Sequence, residues 1–215
     1  MAIDRSRIVD EALALLNEVG IDKLTTRKLA DRLGVQQPAL YWHFKNKSAL
    51  LDAVNGAMLE RFHQHRLPPP GQDWVEFTYA NARSMRSTLL AVRDGARLTA
   101  GTRPSVTEFA ESELVLQLYV AAGFSAEEAL HTAIAVTRYV VGFVLEEQGE
   151  RARDDEDKDV DIDFDVELAP FPLMAEAVGS LMQEGTINTE KAFEAGLRYM
   201  VDGMRMRLWA KGTAS

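Results

Sequence analysis

Cysteine is absent from the 215 residues, which excludes disulfides, thiolate metal sites and cysteine nucleophiles and fits a reducing compartment. Histidine is nearly as scarce, limited to His43, His63, His65 and His131. His63 and His65 stand too close on one helix for both rings to face a single site. Neither a glycine-rich phosphate loop nor a nucleophile motif is present, which argues against an enzyme. No apolar run approaches the roughly 20 residues of a membrane-spanning helix, and the opening MAIDRSRIVDEAL lacks a signal peptide's apolar stretch. The chain is therefore expected in the cytoplasm, with no membrane partner. Strand-type alternation and internal repeats are also missing, which leaves an all-α fold.

Positive charge is in deficit overall, with 24 Lys and Arg against 33 Asp and Glu and a net charge of -9. Its distribution reverses that impression. Residues 1–50 carry eight basic side chains against six acidic ones, a surplus of two, whereas the rest of the chain is strongly acidic. A basic end on an acidic body suits a protein that meets nucleic acid at one end only.

Apolar residues at helical spacing predict the elements. Ile8, Ala12, Leu15, Leu16 and Val19 line a first helix that Gly20 closes as a left-handed cap. Thr25 or Thr26 caps a short second helix that buries Leu29, Ala30 and Leu33 and stops at Gly34. Pro38 falls in the first turn of a third helix, where its missing N–H does no harm, and Leu40, Tyr41 and Phe44 follow. Asn46 or Ser48 caps a fourth, with Leu50, Leu51, Val54 and Met58 inward. Pro68-Pro69-Pro70-Gly71 forces a turn, after which Trp74, Phe77, Asn81, Met85 and Leu89 mark a new helix. A short helix over 92–100 ends at Gly101-Thr102-Arg103-Pro104, another spans 106–121 before Gly123, and a capping box of Ser125 and Glu128 opens a long helix to Gln148.

Residues 150–167 hold ten acids and three bases, which predicts a mobile loop. Its alternating Asp161, Asp163 and Asp165 lack the glycine and the terminal glutamate of a calcium loop. Helices are expected over 168–183 and 189–210. The last carries Phe193, Leu197, Met200, Val201, Met204 and Leu208 in one stripe, with Gly196 and Gly203 permitting close backbone approach.

Residues 25–51, TTRKLADRLGVQQPALYWHFKNKSALL, meet the demands of a helix-turn-helix: a supporting helix, a glycine-containing turn, and a second helix whose first side chains reach base edges. Thr26, Arg27 and Lys28 open the supporting helix, where hydroxyls, cations and free N–H groups suit phosphate oxygens. Gln36, Gln37, Tyr41, Trp42 and His43 give the third helix a polar-aromatic outward face, while Leu40 and Phe44 belong to the core. At about 3.6 residues per turn, three consecutive large residues cannot all point inward. At least one of Tyr41, Trp42 and His43 is therefore exposed and calls for a partner.

The stretch from Leu24 to Leu51, with L-T-T-R-K-L-A-x-x-L-G-V, Q-P-A-L-Y-W-H-F-K-N-K and A-L-L-D-A, resembles the DNA-binding domain of the tetracycline-repressor family. R-D-G-A-R (93–97), G-T-R-P (101–104), G-F-S (123–125) and G-F-V-L-E-E-Q (142–148) are similar to the C-terminal domain of tetracycline repressors proper. The resemblance implies an N-terminal three-helix helix-turn-helix domain (1–46), a connecting helix (47–66) and a helical effector-binding and dimerisation domain (67–215). It also implies a homodimeric repressor that binds a palindromic operator in double-stranded DNA, is released by a small organic effector, and controls an efflux or resistance gene. A DNA-binding activator or architectural protein without inducer is the alternative, and a helical enzyme a weaker one.

Residue by residue, the resemblance places Thr26, Arg27, Gln37, Pro38, Tyr41, His43 and Lys47 at operator-contact positions, with Lys28, Gln36, Ala39 and Trp42 beside them. Arg27 and Gln37 suit base readout, as arginine pairs with guanine and glutamine with adenine. Ala39 stands where tetracycline repressors often carry threonine, so the operator sequence does not transfer. The implied effector positions are His63, Asn81, Met85, Thr99, Thr102, Arg103, Pro104, Val115, Leu130 and Arg138, joined by Glu146 of the partner subunit. Tetracycline-binding members hold magnesium through a histidine at the position of Thr99. A threonine hydroxyl is a poor ligand for a divalent cation, so no metal or cofactor is expected and magnesium with a chelating effector is disfavoured.

Overall fold

Short polar side chains decide where the first helices begin. In the computed structural model, which describes residues 3–156, 167–183 and 186–212, Asp4 accepts a hydrogen bond from the Arg7 amide (2.8 Å) and opens α1 (Arg5–Val19). Thr25 does the same for Lys28 at α2 (Thr26–Leu33), and Asn46 for Ala49 at α4 (Lys47–Phe62). Of the two caps expected at each place, Thr25 and Asn46 are used. Gly34 (φ 68°, ψ 31°) ends α2 in the left-handed conformation. Gly20 has positive φ but ψ 168°, so it is not the left-handed helical cap expected; the chain leaves α1 in an extended direction open mainly to glycine.

Between α2 and α4 lies α3, only Gln37–Tyr41. Trp42 and His43 therefore sit in a turn beyond the helix rather than on its outward face. The cause is the next anchor: Phe44 is buried, and Asn46 is already in the extended conformation of the following cap, which leaves no room for another helical turn.

After the proline-rich turn come α5 (Trp74–Ala91), capped by Asp73, and α6 (Gly95–Ala100). Helix α6 starts later than expected because Val92 is extended and Asp94 takes the left-handed conformation (φ 57°). Helix α7 (Val106–Ala121) opens with a capping box between Ser105 and Glu108, and α8 (Ala126–Glu156) with the expected one between Ser125 and Glu128. Helix α8 continues through 149–156, where a loop was expected from residue 150. Glu147 with Arg151 and Glu150 with Arg153 have the spacing at which opposite charges support a helix. Asp161, Asp163 and Asp165 lie outside the described residues.

Helix α9 (Pro172–Leu181) and α10 (Thr189–Gly212) flank two strands, β1 (Met182–Gln183) and β2 (Thr186–Ile187), paired antiparallel with Met182 opposite Ile187. Strands this short carry no readable alternation, which is why none was expected. The architecture is otherwise all-α.

The chain divides into two compact units, residues 1–145 and 146–215. In the first, α1, α2 and α4 bury Ile8, Leu16, Leu24, Leu29, Leu50, Val54 and Met58 completely or nearly so. A second cluster joins Trp74, Tyr119 and Phe124, whose rings meet edge to face with centroids 5.2 to 6.2 Å apart. In the second unit α9 packs on α10, where Phe193, Leu197 and Val201 are buried and Met200, Met204 and Leu208 are half-buried. A side chain at Gly203 would meet nothing within 4 Å, so the close approach expected there does not occur within this chain.

Over 126–153, α8 is long and apolar enough, by length and composition alone, to cross a membrane, contrary to the reading that no such run exists. Its buried residues Ala129, Val136, Val140 and Val144 nevertheless recur on one face, the pattern of a helix laid against a protein body.

Candidate functional site

Two groups of the expected residues gather on the first unit. At its N-terminal end Arg27, Lys28, Gln36, Pro38, Tyr41, Trp42 and Lys47 are exposed, and Thr26, Gln37, Ala39 and His43 half-buried. Trp42 is 89% exposed, a large apolar area left uncovered by the chain itself. Gln37 donates its amide N–H to Thr26 Oγ1 (2.8 Å) and approaches the Tyr41 hydroxyl (3.5 Å), which joins α2 to α3. Arg32, by contrast, is held by Glu11 and Glu18 (2.7 and 2.6 Å) and serves the packing of α2 on α1. No carboxylate pairs with Arg27, Lys28 or Lys45 among the described residues, so these cations are available to phosphate.

The second group surrounds a cavity of about 410 Å³. His63, Asn81, Met85, Thr99, Thr102, Pro104, Val115, Leu130 and Arg138 all line it; Arg103 and Glu146 do not. Arg103 lines an outer cleft instead, and its backbone N–H donates to Asp52 of α4 (3.1 Å). Glu146 is exposed on α8.

The polar groups of the cavity hold one another in fixed geometry. The Asn81 carbonyl can only accept, so the His63 Nε2 atom 3.1 Å away carries the hydrogen and Nδ1 is left as an acceptor. Burial pushes the His63 pKa down to about 4, helped by the charge of Arg66 and against the pull of that hydrogen bond, so the ring is neutral at neutral pH. Asn81 in turn donates to the carbonyl of His65 (2.9 Å), fixing the turn after α4. Thr99 donates its hydroxyl hydrogen to Asn55 Oδ1 (2.8 Å), and Thr102 donates to the Thr99 carbonyl (3.0 Å). Arg66 pairs with Glu111 (3.0 Å). Thr78 donates to the Trp74 carbonyl (2.7 Å), so the Tyr119 hydroxyl is the donor in the 2.8 Å contact between Tyr119 and Thr78. Phe77, Leu59, Leu116 and Ile134 complete walls that are largely apolar.

Sequence reasoning missed Asn55, Arg66 and Glu111. Asn55 left a signal, an amide beside the apolar stripe Leu50, Val54 and Met58; the Arg66–Glu111 pair, 45 positions apart, left none. Also missed was the set of bonds between α6 and the turn after α1. Asp94 accepts from the Ile21 amide (2.8 Å), the Arg93 amide donates to Asn17, and Arg97 pairs with both oxygens of Asp22 (2.9 Å each). Hydrogen bonding to Arg97 holds the Asp22 carboxyl below its ordinary range.

Comparison with known proteins covers both groups. Residues 8–54 match the family model of bacterial regulatory proteins of the tetR family, and residues 67–208 that of the tetracyclin repressor-like C-terminal domain. The chain is 47% identical over 201 residues to the tetracycline repressor protein class A from transposon 1721 of Escherichia coli, covering 93% of this chain and 89% of that protein. Among solved structures it is similar to a TetR variant from Acinetobacter baumannii in complex with minocycline (41% identity, TM-score 0.77, covering 95% of this chain and 97% of that one). It is also similar to class A TetR in complex with 5a,6-anhydrotetracycline and magnesium (39%, TM-score 0.74, covering 95% and 99%).

Proposed function

The chain belongs to the tetR family of bacterial regulatory proteins, and from that premise we propose that it is a ligand-responsive repressor that binds a palindromic operator as a homodimer and is released by a small organic effector. The relatives named above are regulators, not enzymes. The observation that carries the reading is helix α4: its first residues follow the α3 turn, and its second half, with its cap, supplies Asn55, Leu59 and the capping His63 to the cavity wall. One helix thus serves both the DNA face and the effector chamber.

At the operator Arg27 reads a guanine, and Lys28, Lys47, Tyr41 and the Thr26 hydroxyl rest on phosphates. Gln37 has its amide hydrogens engaged by Thr26 and Tyr41, so bidentate pairing with N6 and N7 of an adenine requires it to exchange the Thr26 bond for one to the base. The homodimer accounts for the exposed apolar residues Tyr199 and Met206 on α10, which a second copy covers. Glu146 of the partner subunit then completes the effector site. A neighbouring efflux or resistance gene is the regulated target, and the cytoplasm the site of action.

The test is operator retardation with duplexes from the chain's own promoter region. Arg27→Ala should weaken binding roughly 30-fold or more, as expected for about 1 to 3 kcal/mol lost in each of the two half-sites, while sedimentation still reports a dimer. Undiminished affinity of both Arg27→Ala and Tyr41→Ala, or a monomeric wild type, would refute the assignment. DNA binding that no cavity-filling compound relieves would identify instead a regulator or architectural protein without inducer.

A further inference from the structure

We propose that the effector enters this cavity without magnesium, as a metal-free organic molecule with a largely apolar body. The inference rests on the repressor reading above and concerns which ligand class the cavity takes. Magnesium accompanies anhydrotetracycline in the class A structure to which the chain is similar, so its fit can be tested against the residues here. Thr99 occupies the place of the metal-binding histidine that the family resemblance implies, and its hydroxyl hydrogen is committed to the Asn55 oxygen at 2.8 Å. Asn55 is buried and lies on α4, so turning Thr99 toward a cation would break the bond that joins α6 to α4.

The one imidazole left in the wall is a single donor: His63 is held through Nε2 by the Asn81 carbonyl at the far end of α4 and offers only its Nδ1 lone pair. The Glu108 carboxylate accepts from the Ser105 amide (2.7 Å) in the capping box that starts α7. Glu111 is paired with Arg66. Among the described residues no cluster of three or more His, Asp or Glu side chains is placed to hold a metal ion. Arg66 and Arg138 balance Glu108 and Glu111, so the wall offers no net charge to a charged chelate. What remains is an apolar chamber with a few neutral anchors: the His63 Nδ1 lone pair, the Thr99 oxygen and the Thr102 hydroxyl.

Two titrations of the DNA-free dimer test this. The first follows anhydrotetracycline by fluorescence in saturating magnesium and in EDTA, for wild type and Thr99→His. Wild-type affinity should not rise with magnesium, whereas Thr99→His should gain about tenfold or more from it. A wild type that gains tenfold from magnesium, or a folded Thr99→His that gains nothing, would overturn the proposal; the wild-type arm needs no variant. The second adds the neutral fluorophore N-phenyl-1-naphthylamine in EDTA. Saturable binding that Val115→Trp blocks is expected, and its absence would overturn the apolar class. Both readings omit DNA, so a chain that never binds its promoter would sink the repressor reading while leaving this comparison standing.

Discussion

Asp94 gives a graded test of how the DNA-binding helices are held. Its carboxylate accepts the Ile21 N–H at 2.8 Å in a half-buried setting, and its backbone is left-handed, at φ 57°. Losing a hydrogen bond to a charged acceptor costs about 1.5 to 3 kcal/mol. Placing an ordinary side chain in the left-handed region costs about 1 to 2 kcal/mol, which Asp and Asn partly avoid and Gly escapes. Three substitutions separate these effects. Asp94→Asn keeps an acceptor oxygen and the tolerated conformation and should cost about 1 kcal/mol. Asp94→Gly loses the acceptor alone, about 2 kcal/mol, and Asp94→Ala loses the acceptor and strains the backbone, about 3 kcal/mol. For a chain of this size that last figure lowers the unfolding temperature by about 6 to 12 °C. Urea unfolding of the dimer at one fixed protein concentration measures the series. An Ala variant no less stable than Gly would refute the backbone part of the reasoning, and an Asn variant as damaged as Ala would refute the hydrogen-bond part.

His63 makes stability depend on pH. Its pKa is about 4 in the folded chain and about 6.5 when unfolded, so acid protonates the unfolded ring first and stability falls as pH drops from about 6.5 towards 4. The difference reaches about 2 kcal/mol by pH 5, and His63→Gln, which retains a donor for the Asn81 carbonyl, should show a smaller fall by that amount in urea titrations at pH 7 and pH 5; identical falls would show that the ring is not the cause. At Gly95 a Cβ would lie 2.4 Å from the Leu89 carbonyl oxygen, whereas at Gly56 it would meet nothing within 4 Å. Gly95→Ala should therefore cost about 3 kcal/mol or more and Gly56→Ala gain about 0.5 to 1 kcal/mol from helix propensity, with thermal unfolding as the measure; equal effects would contradict the packing around α6.

What the chain announces in advance is local. Thr25, Asn46 and Ser125 can be read as caps because a short polar side chain serves backbone amides two or three residues on, and Gly34 ends α2 and Pro38 opens α3 for similarly local reasons. The misreadings concern competition between neighbours. Trp42 and His43 continue a helical pattern, yet the burial of Phe44 and the cap at Asn46 end α3 before them. Asp94 looks like an ordinary turn residue until its oxygen is seen on Ile21, 73 positions away. The cavity was legible through the resemblance in most of its wall, but Asn55 and the Arg66–Glu111 pair became visible only once α4, α6 and α7 were assembled.

Helix α6 is where an attachment of α1 and an attachment of α4 converge. Through Asp94 and Arg97 it holds the turn after α1, and through Thr99 it holds Asn55 in the middle of α4. The loop after it adds a third bond, from the Arg103 amide to Asp52. Thr99 and Thr102 also face the cavity, so a ligand bonded to either one bears on this six-residue helix directly. If α6 moves with both attachments intact, α1 and α4 move with it and the face bearing Arg27 and Gln37 is displaced as one body. If the Asn55–Thr99 bond yields while the Asp94–Ile21 bond holds, α4 turns against α1, and the displacement reaches α3 through the Asn46 end. The two cases differ in which bond the ligand competes for, and in either case release requires tighter binding to the displaced arrangement than to the one that fits the operator. A ligand accepting from the Thr99 hydroxyl competes for the hydrogen that Asn55 now takes, which favours the second case.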